Sequence, residues 1–132
     1  MLDISGLEEL GKKLEAASKG DMMDDFMPEF LLELVYRLDA KVKPRTPVDQ
    51  GYLRRMFRIG DVKELPGGMY SIEYFNNTHY ASYIENGHRT GKDKTGWVEG
   101  RFMLKISVQE IERDLQQFLD RKLEEALNKY FG

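Results

Sequence analysis

The spacing of apolar residues changes near residue 57, and this change constrains the fold more than any other feature. Upstream, apolar side chains recur at helical spacing, at Phe26, Phe30, Leu34, Leu38 and Val42. From Phe57 to Tyr74 they instead alternate, around the turn sequence Pro66-Gly67-Gly68. Alternation around such a turn is typical of a β-hairpin. The pattern therefore predicts a helix followed by antiparallel strands.

The helix upstream of this change is predicted to start at Asp24-Asp25 and to end before Pro44. Pro28 is tolerable there because a helix's first turn needs no backbone N–H partner. Further upstream, Ser5-Gly6-Leu7-Glu8 matches a capping box, and Gly20 closes the helix that it would start. These segments predict an N-terminal helical region.

A long helix is predicted at the C-terminal end, from Ser107 to Tyr130, about 36 Å in length. Its apolar stripe comprises Ile106, Ile111, Leu115, Phe118, Leu119, Leu123, Leu127 and Tyr130. Such a helix is longer than a small domain is wide. The apolar side chains that extend past the domain must therefore be buried against another element. That element is either part of a second chain, with Leu123, Leu127 and Tyr130 as candidate interface residues, or the first helix of the same chain, through Leu7, Leu10 and Leu14.

Between the hairpin and the last helix the pattern is weaker. Tyr52–Phe57 is compatible with a helical turn or a strand, and Tyr80–Gly87 predicts a short helix or turn ended by Asn86-Gly87. Residues 88–96 are polar and are expected to form a loop that is mobile in the monomer and ordered on assembly. Residues 97–104 are compatible with extended structure.

The resulting fold class is α+β, with a small antiparallel sheet flanked by an N-terminal helical region and a long C-terminal helix. The 132 residues fit one domain, 1–132, and 41% hydrophobic with 33% charged residues is a globular composition. Without cysteine the chain has no disulfide, thiolate metal site or cysteine nucleophile. The N-terminus resembles no signal peptide, and no apolar stretch is long enough to cross a bilayer.

No residue pattern predicts catalysis, a cofactor or a metal. Gly87-His88-Arg89-Thr90-Gly91-Lys92 is one residue shorter than a phosphate-binding loop, and Asp93 replaces the required Ser or Thr. The only histidines, His79 and His88, lack the spacing of zinc motifs. No nucleophile elbow or serine–histidine–acid arrangement is present. The sequence therefore indicates a protein that binds rather than catalyses.

A local basic cluster comprises Arg45, Arg54, Arg55 and Arg58. Because the net charge is −3, ion pairs with carboxylates, within the chain or between subunits, are favoured over contacts with DNA phosphates. The alternative is a small nucleic-acid-binding regulator that uses Arg54, Arg55 and Arg58 together with the lysines of the 88–96 segment.

Two sequence elements together carry a family resemblance. The first element is Thr46-Pro47-Val48-Asp49-Gln50-Gly51-Tyr52-Leu53-Arg54-Arg55, and the second is Tyr80-Ala81-Ser82-Tyr83-Ile84-Glu85-Asn86-Gly87. Both are similar to elements of phage head–tail joining and tail-completion proteins. These are minor tail components of lambdoid-type phages and prophages, resembling their gene-ten products. The motif residues are Pro47, Asp49, Gly51, Leu53, Arg54, Tyr80, Ala81, Glu85, Gly87 and Phe102. Members commonly have proline just before this phenylalanine, where this chain has Arg101.

The resemblance implies a non-enzymatic structural protein of the virion neck or tail, assembled in the host cytoplasm. It implies a homo-oligomeric ring, commonly hexameric, that takes part in tail completion and head–tail joining. Its partners would be the tail tube or terminator and the head connector, with no membrane and with DNA only as the passing genome. In physical terms, Asp49 and Gly51 suit a turn or helix cap, with Gly51 allowing an unusual backbone angle, and Glu85 is available for an arginine.

Overall fold

The computed structural model describes residues 21–47 and 51–131, and the side chains of 24–47 and 51–129. Its helices are α1 (Asp21–Arg45), α2 (Gly51–Arg55), α3 (Ala81–Asn86) and α4 (Met103–Phe131). Its strands are β1 (Phe57–Ile59), β2 (Lys63–Leu65), β3 (Met69–Ser71), β4 (Tyr74–Asn76), β5 (Gly87–Thr90) and β6 (Gly96–Glu99). The predicted α+β class is confirmed. The predicted helix from Ser5 to Gly20 lies outside the described residues.

Helices α1 and α4 pack side by side in opposite directions. Lys41 near the end of α1 pairs with Glu110 near the start of α4 at 3.3 Å, whereas Glu33 pairs with Lys122 at 2.9 Å. With 29 residues, α4 is about 44 Å long. The pair therefore forms the long axis of the described fold.

The main core lies between these two helices and the strands. Its buried members are Phe26, Met27, Phe30, Leu34, Leu38, Val42, Leu53, Phe57, Met103, Ile111, Phe118, Leu119 and Leu123. Burying each large apolar side chain contributes roughly 1.5–3 kcal/mol relative to its exposed state. Phe30 stacks on Phe118 with ring centroids 5.2 Å apart, which joins the two helices at the centre of the core.

Strands β1 to β4 form one long hairpin interrupted by a bulge. In β1 and β4, Phe57 pairs with Asn76 and Ile59 with Tyr74, while in β2 and β3, Lys63 pairs with Ser71. Three residues, 60–62, therefore face the two residues 72–73 on the other arm. An extra residue on one arm is the defining feature of a bulge, and it bends the hairpin. The sheet predicted from Phe57 to Tyr74 is thus confirmed, with its turn at residues 66–68.

The hairpin is fixed to α1 by both apolar and polar contacts. Ile72 is buried against Leu31 and Val35, and the Tyr74 hydroxyl donates to an Asp39 carboxylate oxygen at 2.6 Å. Burial and this bond raise the pKa of Tyr74 above its usual range. The hairpin is therefore held on the face of α1 that α4 leaves open.

The predicted ends of the two long helices were wrong. Helix α1 already includes Asp21 and continues through Pro44 to Arg45. Proline removes only one intrahelical bond near this end, and the Thr46 N–H and hydroxyl both donate to the Val42 carbonyl, at 3.1 and 3.0 Å. Pro28 consequently lies beyond the first turn, where its missing N–H removes one intrahelical bond. Helix α4 begins at Met103, four residues before the predicted start at Ser107.

The prediction that residues 88–96 form a single loop was also wrong. Strands β5 and β6 pair antiparallel, from Gly87 opposite Glu99 to Thr90 opposite Gly96, so only residues 91–95 form the turn. Backbone pairing needs no apolar side chain, and Thr90, Trp97 and Val98 are good strand formers. The mobility of this segment in a monomer stays a prediction.

The apolar stripe of α4 is covered mainly by α1. Leu123 is only 7% exposed and belongs to the core, and Leu115 and Leu127 are partly buried against it. Ile106, in contrast, is 39% exposed. The side chain of Tyr130 lies outside the described residues. For Leu123, the structure therefore favours cover within the chain over an interface with another chain.

In residues 21–47 and 51–131, no helix has both the length and the apolar character that a membrane span requires.

Candidate functional site

The two sequence elements meet where α1 ends and α4 begins. Pro47 of the first element and Tyr83 and Ile84 of the second line one cleft of about 130 Å³. The other cleft residues come from the β5–β6 hairpin and the segment after it: His88, Val98, Glu99 and Arg101. Residues far apart in sequence thus form one surface, which is the candidate functional site.

The first element connects α1 to the long hairpin. Leu53 is fully buried in the core, and its carbonyl accepts a bond from the Asn76 side-chain amide at 2.9 Å. Arg54 donates to the Thr46 carbonyl at 2.8 Å, which joins the two ends of this element. Asp49 lies outside the described residues. Gly51 is the first residue of α2 and does not use the unusual backbone angle that a glycine allows.

The arginine cluster only partly forms the predicted ion pairs. Arg45 pairs with Glu110 and donates to the Ser107 hydroxyl at 3.0 Å, and its hydrogen bond lowers the pKa of Glu110. Arg54 instead binds a backbone carbonyl, and the exposed Arg58 donates to the Arg55 carbonyl at 2.6 Å. Among the described residues, no carboxylate forms a salt bridge with Arg54, Arg55 or Arg58. The predicted pairing of Arg54 and Arg55 with carboxylates is thus not seen within the described part of one chain, and pairing with carboxylates of another subunit stays a prediction.

The second element caps α4. The two carboxylate oxygens of Glu85 accept from the backbone N–H groups of Leu104 and Lys105, at 2.8 and 3.0 Å. These N–H groups have no partner within the helix, and a carboxylate also interacts favourably with the positive end of the helix dipole. The expectation that Glu85 is available for an arginine was therefore wrong, and this cap also explains why α4 starts early.

Two glycines let the second element approach the start of α4 closely. A Cβ on Gly87 would lie 2.6 Å from the Val98 carbonyl oxygen, and one on Gly100 would lie 2.5 Å from the Glu85 carbonyl oxygen. Backbone hydrogen bonds join the same segments. The Arg101 N–H donates to the Ile84 carbonyl at 2.8 Å, and the Phe102 N–H donates to the backbone carbonyl of Glu85 at 3.0 Å. The motif residues Tyr80 and Ala81 are partly buried against the core. Most of these motif residues thus position backbone rather than a reactive group.

Sequence reasoning missed two buried polar residues at this junction. Thr46 is 1% exposed and Ser107 is fully buried. The Ser107 hydroxyl accepts a hydrogen bond from Arg45 of α1 and donates one to the Met103 carbonyl of α4, so it is bonded to both helices. For Thr46, its position just after Pro44-Arg45 was the available signal of a helix end. For Ser107 the sequence offers none, because its partner lies 62 positions away.

The outer surface of the site is exposed and aromatic. Trp97, Tyr83 and Val98 are 57%, 55% and 45% exposed. Among the described residues, no group of three or more His, Cys, Asp or Glu side chains is placed to hold a metal ion. The arrangement is suited to binding a macromolecular surface.

We expect Glu85→Ala to lower the free energy of unfolding by about 1–2 kcal/mol, because two helix N–H groups lose their partner and the dipole loses a charge. Glu85→Gln keeps one acceptor oxygen and should lose roughly half as much. Urea unfolding followed by circular dichroism measures both. The control is Glu124→Ala, at an exposed position far along α4. Equal stabilities for Glu85→Ala and this control would contradict the capping role.

Comparison with known proteins identifies a family. The family model described as "Bacteriophage HK97-gp10, putative tail-component" matches residues 8–87, which include both sequence elements. No curated protein and no solved structure matches significantly.

Proposed function

The chain belongs to the HK97-gp10-like family of bacteriophage tail components, and from this membership we propose that it completes the tail and joins it to the head. It acts by binding alone, as one subunit of a ring at the head-proximal end of the tail, commonly a hexamer. Its partners are copies of itself, the tail tube or terminator, and the head connector. A tail component belongs to the virion, and assembly takes place in the host cytoplasm.

The family match over both elements is the observation that carries this proposal. The structure supports it through the roles of the matched residues. Glu85 and Gly87 hold a surface in place at the start of α4, and Leu53 anchors the opposite element in the core. The exposed side chains beside them, Tyr83 and Trp97, are of the kinds enriched at protein interfaces.

The rival function, nucleic-acid regulation through Arg54, Arg55 and Arg58, is less well supported. Arg54 is held by the Thr46 carbonyl, and the net charge of −3 opposes phosphate binding. A titration with duplex DNA at increasing salt distinguishes the two functions. A tail component should show little binding at moderate salt, whereas a regulator should bind and lose affinity steeply as salt rises.

The experiment that tests the proposal is deletion of the gene from the phage or prophage that carries it. We expect lysates to contain filled heads and separate tails, with few joined particles and a large loss of infectious titre. Electron microscopy counts the particles, and adding the purified chain to the lysate should restore joining. Normal numbers of joined, infectious particles after deletion would overturn the proposal.

A further inference from the structure

We propose that the β5–β6 hairpin, residues 87–99, is an arm that docks into an acidic groove at the opposite end of a second copy of this chain. The inference rests on the proposed ring and names the two surfaces that join its subunits. The acidic groove lies between the start of α1 and the last turns of α4.

The arm is incompletely covered on both of its faces. Trp97, opposite Arg89, is 57% exposed on one face, and Val98, opposite His88, is 45% exposed on the other. Its close contacts are with α3, where the Tyr83 and His88 rings lie 5.6 Å apart. A two-stranded hairpin is marginally stable in water unless another element covers it. The arm is therefore suited to being covered by another chain.

The arm is basic although the whole chain is acidic. Residues 87–99 contain three basic side chains and two acidic ones, which gives a net charge of +1 in a chain of −3. The basic residues are Arg89, Lys92 and Lys94, of which Lys92 and Lys94 lie in the turn at the tip, and Arg101 follows the base of the arm. A partner surface that complements the arm must therefore be acidic and must also accept an aromatic side chain.

The acidic groove has these two properties. Its lining includes the apolar residues Phe26, Phe30 and Ala126, of which the two phenylalanines are largely buried in the core. Four carboxylates and two lysines complete the lining, which gives a net charge of −2. Lys122 is already paired with Glu33 and Glu125, at 2.9 and 3.4 Å. The groove has a volume of about 220 Å³. Opposite charge brings such surfaces together and fixes their orientation.

The arm cannot reach the groove of its own chain. It emerges next to Met103, whereas the groove includes Ala126, 23 residues further along α4 and thus about 35 Å away along the helix. Even fully extended, the six residue-to-residue steps from Gly87 to Asp93 span at most about 22 Å. The contact must then form between two copies. A head-to-tail contact of this kind repeats around a ring when its rotation closes.

Introduced cysteines test this contact cleanly, because the chain has none of its own. One preparation carries Lys94→Cys at the tip of the arm and the other carries Glu29→Cys in the groove. The two full-length preparations are mixed, treated with a short bis-maleimide and analysed by denaturing electrophoresis and mass spectrometry. We expect the mixed dimer to exceed both homodimers several-fold. Adding Trp97→Ala or raising the salt concentration should reduce it.

The matched control replaces Glu29→Cys with Glu112→Cys, also an exposed carboxylate position but about 15 Å along α4 from Lys122. Circular dichroism verifies that each variant is folded. Mixed dimers no more abundant with Glu29→Cys than with this control would overturn the proposal. Predominant homodimers of the Lys94→Cys chain would also overturn it, in favour of arm-to-arm pairing.

The proposed function is tested separately, by adding either the wild-type chain or the Trp97→Ala variant to the lysate of the phage that lacks the gene and counting joined particles. If crosslinking fails while Trp97→Ala still prevents joining, the arm binds another virion protein and only the present inference falls. If the wild-type chain does not restore joining, the proposed function falls with it.

Discussion

Leu123→Ser is expected to lower the free energy of unfolding of the chain by about 3–5 kcal/mol. Leu123 is 7% exposed and packs in the core with Phe26 and Phe30 of α1. The substitution removes most of a buried side chain and places a hydroxyl in an apolar environment. Urea unfolding of a dilute sample, in which association is negligible, measures the change.

Ile106→Ser is the matched control, because Ile106 lies on the same helix but is 39% exposed. It should change the free energy of unfolding by about 0.5 kcal/mol or less. This comparison decides between the two explanations of the α4 stripe that the sequence leaves open. If the Leu123→Ser monomer keeps its stability while assembly fails, Leu123 is an interface residue and the core assignment is wrong.

Gly87→Ala is expected to cost roughly 2–5 kcal/mol, from two separable causes. Gly87 has a φ of +85°, which is unfavourable for a residue with a Cβ. The new Cβ would also lie 2.6 Å from the Val98 carbonyl and 2.7 Å from the Trp97 ring, so backbone must move. Thermal and urea unfolding measure the total loss.

Gly67→Ala measures the first cause alone. Gly67 also has a φ of +85°, but a Cβ there meets nothing within 4 Å. It should therefore lose only the conformational part, about 1–2 kcal/mol. Equal losses for Gly67→Ala and Gly87→Ala would show that the close approach between the second element and β6 does not contribute to stability.

The elements that the sequence predicted well are those whose signal is local. The apolar spacing from Phe26 to Val42 specified α1, and the alternation around Pro66-Gly67-Gly68 specified the long hairpin. Both patterns arise because the side-chain periods of helix and strand differ, so each can be read within a short window. The second hairpin was missed because β5 is short and polar and gave no apolar pattern to detect, although extended structure was predicted from Trp97 onwards.

The candidate site was predicted as a set of residues but not as a set of contacts. The motif residues Leu53, Glu85 and Gly87 were identified, yet Glu85 was assigned to an arginine and caps a helix instead. Arg54 was assigned to a carboxylate and binds a carbonyl. A carboxylate or a guanidinium has several suitable partners in any chain, and sequence alone does not say which of them lies within 3 Å.

The sequence by itself determined that this chain builds two long amphipathic helices and a hairpin between them, and it carried the two elements of a phage tail-component family. These properties depend on residue spacing and on short motifs, which are fixed before the chain folds. Only the tertiary structure decided that α1 covers Leu123, that Glu85 caps α4 from 19 residues away, and that the basic arm lies far from the acidic groove. Those outcomes depend on which surfaces meet, because a buried side chain or an unpaired N–H group is satisfied by whatever the fold places beside it.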